Sequence, residues 1–186
     1  MKKFILILVL LIACTTEKNT MKLGAVLPLT GNSAEYGKYI QEGIDLALEE
    51  INSNAEKKIK VIYEDSQCNP KMAVSAMQKL VRVEKVPVIL GDWCSSDVLA
   101  MAPIAEESHT VMLAEAIAPK IRYAGEYVFR IQPDALVYIN ALLAFIQSNY
   151  NIREMAILYM NNDFGVGLKD YFLENWPHNI TVIEAF

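Results

Sequence analysis

The densest chemistry in the chain lies in Val86–Asp97, which reads Val-Pro-Val-Ile-Leu-Gly-Asp-Trp-Cys-Ser-Ser-Asp. An apolar run ends at Gly91, a short polar turn follows, and Ser95 or Ser96 caps a helix that continues to about Ser108. A strand, a tight turn and a helix start aim backbone N–H groups and hydroxyls into the space above a parallel sheet. That arrangement suits an anion on a small ligand. No enzyme is expected, because no G-x-S-x-G, Walker A, H-E-x-x-H or strand-borne G-x-G-x-x-G occurs. Asp134, Glu115 and the histidines have no spacing that requires acid–base catalysis. No cofactor motif is found.

Three cysteines are an odd number for an exported protein. Cys14 follows a basic start, the apolar run Phe4–Ala13 and a small residue. That run is too short for a membrane span and has the layout of a secretory signal. Leu11-Ile12-Ala13-Cys14 resembles a bacterial lipobox, in which lipid is attached to the cysteine sulfur. Residues 1–13 are therefore read as a lipoprotein signal peptide and 14–21 as a lipidated polar tether. The other reading is an ordinary signal peptide with an incidental Cys14. Cys68 and Cys94 then form one pair, each in a turn after an apolar strand. A bridge is favoured in an oxidising compartment. Two free or metal-binding thiols have less support, since no CxxC exists and His109 and His178 stand alone.

The elements that must position these groups alternate. Strands are expected at Lys22–Pro28, Ile59–Glu64, Val86–Leu90, Val111–Leu113, Val128–Arg130, Met155–Tyr159 and Thr181–Ala185. Helices are expected at Gly37–Asn52, with Ile40, Ile44, Ala47, Leu48 and Ile51 on its apolar stripe, and at Pro70–Val83 with Asn69 as N-cap. Two more are expected at Ala135–Asn149 and Gly165–Asn175. Pro103 predicts a kink or a late start in the helix after Val86–Leu90. Ala114–Tyr127 reads as irregular. The alternation predicts an α/β fold of βαβ units on a parallel sheet. Residues 22–130 make lobe one, with a small sheet of four strands, and 131–186 begin a second lobe that reads as incomplete. The length of 186 residues allows a well-buried core. The net charge of −5, with no basic run, gives no support for a nucleic-acid partner, and none is expected.

Four stretches carry a family resemblance: Leu23–Gly31 with Tyr36-Gly37, Glu64–Lys71, Gly91–Ser96 and Asn162–Gly167. Together they resemble the branched-chain amino-acid binding proteins, the type I periplasmic binding proteins that serve ABC importers. The resemblance implies two hinged α/β lobes that close on a ligand. It implies that Ser95, Ser96 and nearby N–H groups hold a ligand carboxylate, that Tyr36 lies over the ligand, and that Phe164 stands on the lobe-two rim where tyrosine is usual. It places further ligand-facing positions at Ala116 and Ala118, the latter (or Ile117, one register off) replacing a threonine that grips the ligand. Backbone N–H groups there are expected to serve instead. Asp134, at the crossing between lobes, is expected to meet a ligand ammonium. Asp163 is read equally as a turn former, and Trp93 as lining the cleft or bracing the bridge. Glu115, if it faces the pocket, disfavours an anion and favours an amine or polyol; a solvent-facing loop acid is the other reading.

These residues imply a lipid-anchored solute-binding protein of an ABC importer, exported and facing the periplasm or cell exterior. Its partners would be a small amino-acid-like ligand, a permease and the membrane through its lipid. The alternative is the ligand-binding domain of a sensor. With half a cleft, the chain alone is expected to bind weakly.

Overall fold

The computed structural model describes residues 19–152, 154–176 and 179–185; the leader and Cys14 lie outside them. β1 (Thr20–Leu27) pairs in parallel with β2 (Lys58–Asp65) on one side and β3 (Val88–Leu90) on the other. β4 (Val111–Ala114) and β5 (Val128–Arg130) extend the sheet in the order β2-β1-β3-β4-β5, all parallel. The first sheet thus has five strands rather than four. β5 joins because Met112–Ala114 register directly with Val128–Arg130. This strand order reverses direction at β1, so a crevice opens at the carboxyl ends of β1 and β3.

The core lies beneath one face of that sheet. Val26 and Ile89 of the strands meet Met77 and Leu80 on one side, and Val98 and Met101 on the other, all fully buried. Met77 belongs to α2 (Pro70–Gln78), which a wider π turn extends over Lys79–Glu84. Asn69 caps α2 as expected, its side chain accepting the N–H groups of Lys71 and Met72. Val98 and Met101 belong to α3 (Ser95–Ser108). Here the expected cap is corrected: Cys94 is the N-cap residue, and Ser95 is the first helical residue. Pro103 sits within α3 and does not delay its start. α1 (Ala34–Asn54) is longer than its periodicity indicated and shallower. Ile40, Ile44 and Leu48 are half-buried, but Ala47 and Ile51 are exposed. The supposedly irregular Ala114–Tyr127 contains a 3-10 turn, Pro119–Tyr123, opened by its proline.

Two glycines fix close approaches. Gly91 has φ +110°, and a Cβ there would lie 2.1 Å from the Val26 carbonyl oxygen. A Cβ on Gly37 would lie 2.2 Å from the Pro28 carbonyl oxygen, so only glycine lets α1 start tight against the end of β1.

Past Arg130 the chain leaves the first sheet. α4 (Ala135–Asn149), β6 (Glu154–Met160), α5 (Asp163–Asn175) and β7 (Asn179–Ala185) form a second unit, with β6 and β7 parallel. Leu143, Phe172 and Trp176 form its small core. Among the described residues no helix is long and apolar enough to cross a membrane.

Candidate ligand-binding cleft

Five loops follow the five parallel strands, and each sends a residue into one cleft of about 610 Å³. Ser33 comes from the loop after β1, with Tyr36 in the first turn of α1 beside it, and Cys68 from the loop after β2. Trp93, Ser95 and Ser96 follow β3; Glu115, Ala116 and Ile117 follow β4; Gln132 follows β5. Met160, Asn162 and Phe164 supply the wall from the second unit. The convergence follows from parallel strands, whose carboxyl ends all open on the same side.

Ser95 is nearly buried, and its Oγ accepts the Ala118 N–H at 3.3 Å. Accepting that bond leaves the hydroxyl proton free to donate elsewhere. The Asp97 N–H is taken by the Cys94 carbonyl at 3.1 Å. The N–H groups before it, at the first positions of α3, have no acceptor one turn back and add positive potential at the same wall. This wall can therefore donate to an anionic group. The turn is held from behind. Cys68 and Cys94 are disulfide-bonded, with Cα atoms 5.5 Å apart. Their strands, β2 and β3, are not neighbours; β1 lies between them, so the bridge crosses over the end of β1. Asp65 secures the adjoining loop by accepting the N–H groups of Leu29, Thr30 and Gln67. These bonds and the Thr30 hydroxyl outweigh burial and hold its carboxyl below the usual range. Trp93 lines the cleft and stacks on Tyr36, with ring centroids 4.8 Å apart and planes 6° apart.

Beneath the bridge lie two buried acids. Oxygens of Asp92 and Asp97 lie within 4.8 Å of each other and of Cys94 Sγ. Asp92 Oδ1 accepts the Cys94 N–H; the Ser66 hydroxyl beside both acids and the Asn69 N–H beside Asp97 favour the charged forms but do not offset burial. Burial, then the charge of Asp92, pushes Asp97 up to about 8, and burial raises Asp92 as well. A proton held by the pair supplies the donor that two carboxylates lack. As a metal site the group is poor in ligands, because the Cys94 sulfur is committed to the disulfide.

Of the expected site residues, the structure brings Tyr36, Ser95, Ser96, Ala116 and Phe164 to the cleft. Ala118 is buried outside its lining, and its N–H is taken by Ser95. The Ala116 N–H is likewise committed, to the Asp92 carbonyl at 3.2 Å. These N–H groups therefore do not replace the absent hydroxyl. Asp134 does not reach the cleft. Its carboxylate accepts from Arg122 at 2.8 Å and Arg130 at 3.2 Å, and it caps α4 through the Leu136 N–H. Burial pushes its pKa up, but the Leu136 N–H and the two arginines hold the carboxyl below the usual range. Asp163 pairs with Lys120 at 3.4 Å. Gln132 and Asn162 were missed as lining residues; their signal was position, each just past a strand's carboxyl end. Asn162 Oδ1 also caps α5 through the Gly165 N–H.

The family model described as "Periplasmic binding protein" matches residues 20–183. The chain belongs to the periplasmic binding protein family. It is 31% identical over 157 residues to the leucine-, isoleucine-, valine-, threonine- and alanine-binding protein of Pseudomonas aeruginosa, covering 81% of this chain and 41% of that one. A leucine-binding protein from Thermotoga maritima superposes with a TM-score of 0.82 at 25% identity, covering 89% of this chain and 49% of that one. A solute-binding protein of an ABC transporter from Rhodopseudomonas palustris, solved with 3,4-dihydroxybenzoic acid, gives 0.81 at 25% identity, covering 90% and 47%. The chain thus spans less than half the length of these two-lobed relatives.

Proposed function

We propose that this chain is the solute-binding component of an ABC importer, holding an amino acid or a similar small polar compound between two α/β lobes. One observation carries the reading: five strand ends converge on a cleft whose wall is the start of α3 with the Ser95 hydroxyl. No bond is made or broken. Ligand favours a closed arrangement by binding it better than an open one. Ser95 and Ser96 donate to the solute's anionic group, Tyr36 covers it from lobe one, and Phe164 meets it from the second unit. The relatives named above support the class of ligand, since one is a leucine-, isoleucine-, valine-, threonine- and alanine-binding protein and another was solved with an aromatic acid. The lipobox-like Leu11–Cys14 supports export and a lipid on Cys14, which would keep the protein beside its permease.

The test is calorimetric titration of the purified protein with amino acids and small aromatic acids, beside metabolic labelling with a fatty acid. Saturable binding of one class without turnover is the expected result, as is label lost in Cys14→Ser. Because half a cleft binds weakly, each compound is added up to its solubility, and binding of no member of either class there would sink the solute-binding reading.

A further inference from the structure

We propose that Glu115 contacts the solute and selects compounds that carry an ammonium or guanidinium group. The inference rests on the cleft being a solute site. Glu115 is the one charged side chain among the described residues that line it. Its setting differs from that of the other constrained acids. Asp134 has two arginines, Asp163 has Lys120, Glu64 has Lys79, and Asp65 has three backbone donors. Among the described residues, no hydrogen-bond or ion-pair partner is found for the Glu115 carboxylate.

Glu115 is also half-buried, and burial raises its pKa. A partly desolvated carboxylate without a cation is costly, and a ligand cation relieves that cost. Its neighbours cannot do so. Ala114, Ala116 and Ala118 carry no side-chain donor, and the Ala116 and Ala118 N–H groups are already bonded elsewhere. Aromatic faces at Tyr36, Trp93 and Phe164 share the cleft and also favour a cation. The cleft thus presents donors at Ser95 and an unpaired acceptor at Glu115, complementary to a solute with both an anionic and a cationic group.

The experiment is an NMR titration that follows the backbone amides of Ser95, Ser96 and Glu115, which reads weak binding residue by residue. The probes are L-arginine, agmatine and 4-methylvalerate, added to the chain and to Glu115→Gln and Glu115→Lys. Agmatine carries a guanidinium without a carboxylate; 4-methylvalerate carries a carboxylate without a cation. Arginine and agmatine should shift these amides and lose about tenfold or more in affinity in Glu115→Gln, the loss of one charge-assisted hydrogen bond. Glu115→Lys should reverse the preference toward 4-methylvalerate. Unchanged arginine and agmatine affinities in both variants would overturn the role of Glu115 and leave the solute-binding reading standing. No shift from any probe up to its solubility would overturn both.

Discussion

Ser95 does two things with one oxygen. It accepts the buried Ala118 N–H, and its proton remains for a ligand. Ser95→Ala should therefore cost about 1–2 kcal/mol of stability by orphaning that N–H. It should also weaken binding about tenfold, through the loss of one bond to a charged group. Calorimetry beside a thermal melt separates the two, and unchanged affinity would reduce Ser95 to a structural role. Asp97 is expected to reveal itself in pH dependence. Its folded pKa, pushed up to about 8, lies above the unfolded value of about 3.9. The folded state then binds more protons between those values, so stability falls as pH rises from about 4 to about 8. Asp97→Asn should flatten that fall and gain about 1–3 kcal/mol at its upper end. Parallel pH profiles of the melting temperature for parent and variant would refute a shared proton at Asp92–Asp97.

At the level of elements, the site is a set of loop ends held by cross-links. The Cys68–Cys94 bridge spans a sequence separation of 26 residues and ties the loop after β2 to the N-cap of α3. The chain-entropy model gives such a loop about 3–4 kcal/mol. A double Cys68→Ser, Cys94→Ser variant should melt roughly 10 °C lower, from a slope of about 2–4 °C per kcal/mol at this size. Affinity should fall as well, because Trp93 and Ser95 lose the anchor beside them. A melting temperature unchanged by the double substitution would mean that Asp65 and the buried strands hold the turn alone. The sequence announced both cysteine loops, but the crossing over β1 needed the strand order.

At the scale of the molecule, the two units meet around Asp134. It gathers Arg122 of the 3-10 turn, Arg130 of β5 and the first turn of α4 onto one carboxylate. Asp134→Ala should cost about 3 kcal/mol, chiefly by leaving the largely buried Arg130 without its partner; the half-exposed Arg122 contributes little because water screens it. Its folded pKa is depressed, so its contribution is fully present above the unfolded value of about 3.9 and fades as pH falls through the lower folded value. Denaturant titration at neutral and strongly acidic pH should show the variant's deficit shrinking in acid. A deficit that is the same at both would show that Asp134 acts without its charge.

The alternation of strand and helix, the Asn69–Pro70 cap, the paired cysteine loops and the serine turn were legible in the residues, because each depends on neighbours within a few positions. Periodicity placed Ala135–Asn149 with its observed ends. What the sequence could not decide was which groups already have partners. Asp134 and Glu115 are both acids in loops after strands, and nothing local separates one that two arginines hold from one left facing the cleft. The same holds for the Ala116 and Ala118 N–H groups, whose acceptors lie 24 and 23 residues away in sequence, at Asp92 and Ser95. Partnership is a property of tertiary contact. A turn's residue types settle that it can donate, and only the packed fold determines what remains free to meet a ligand.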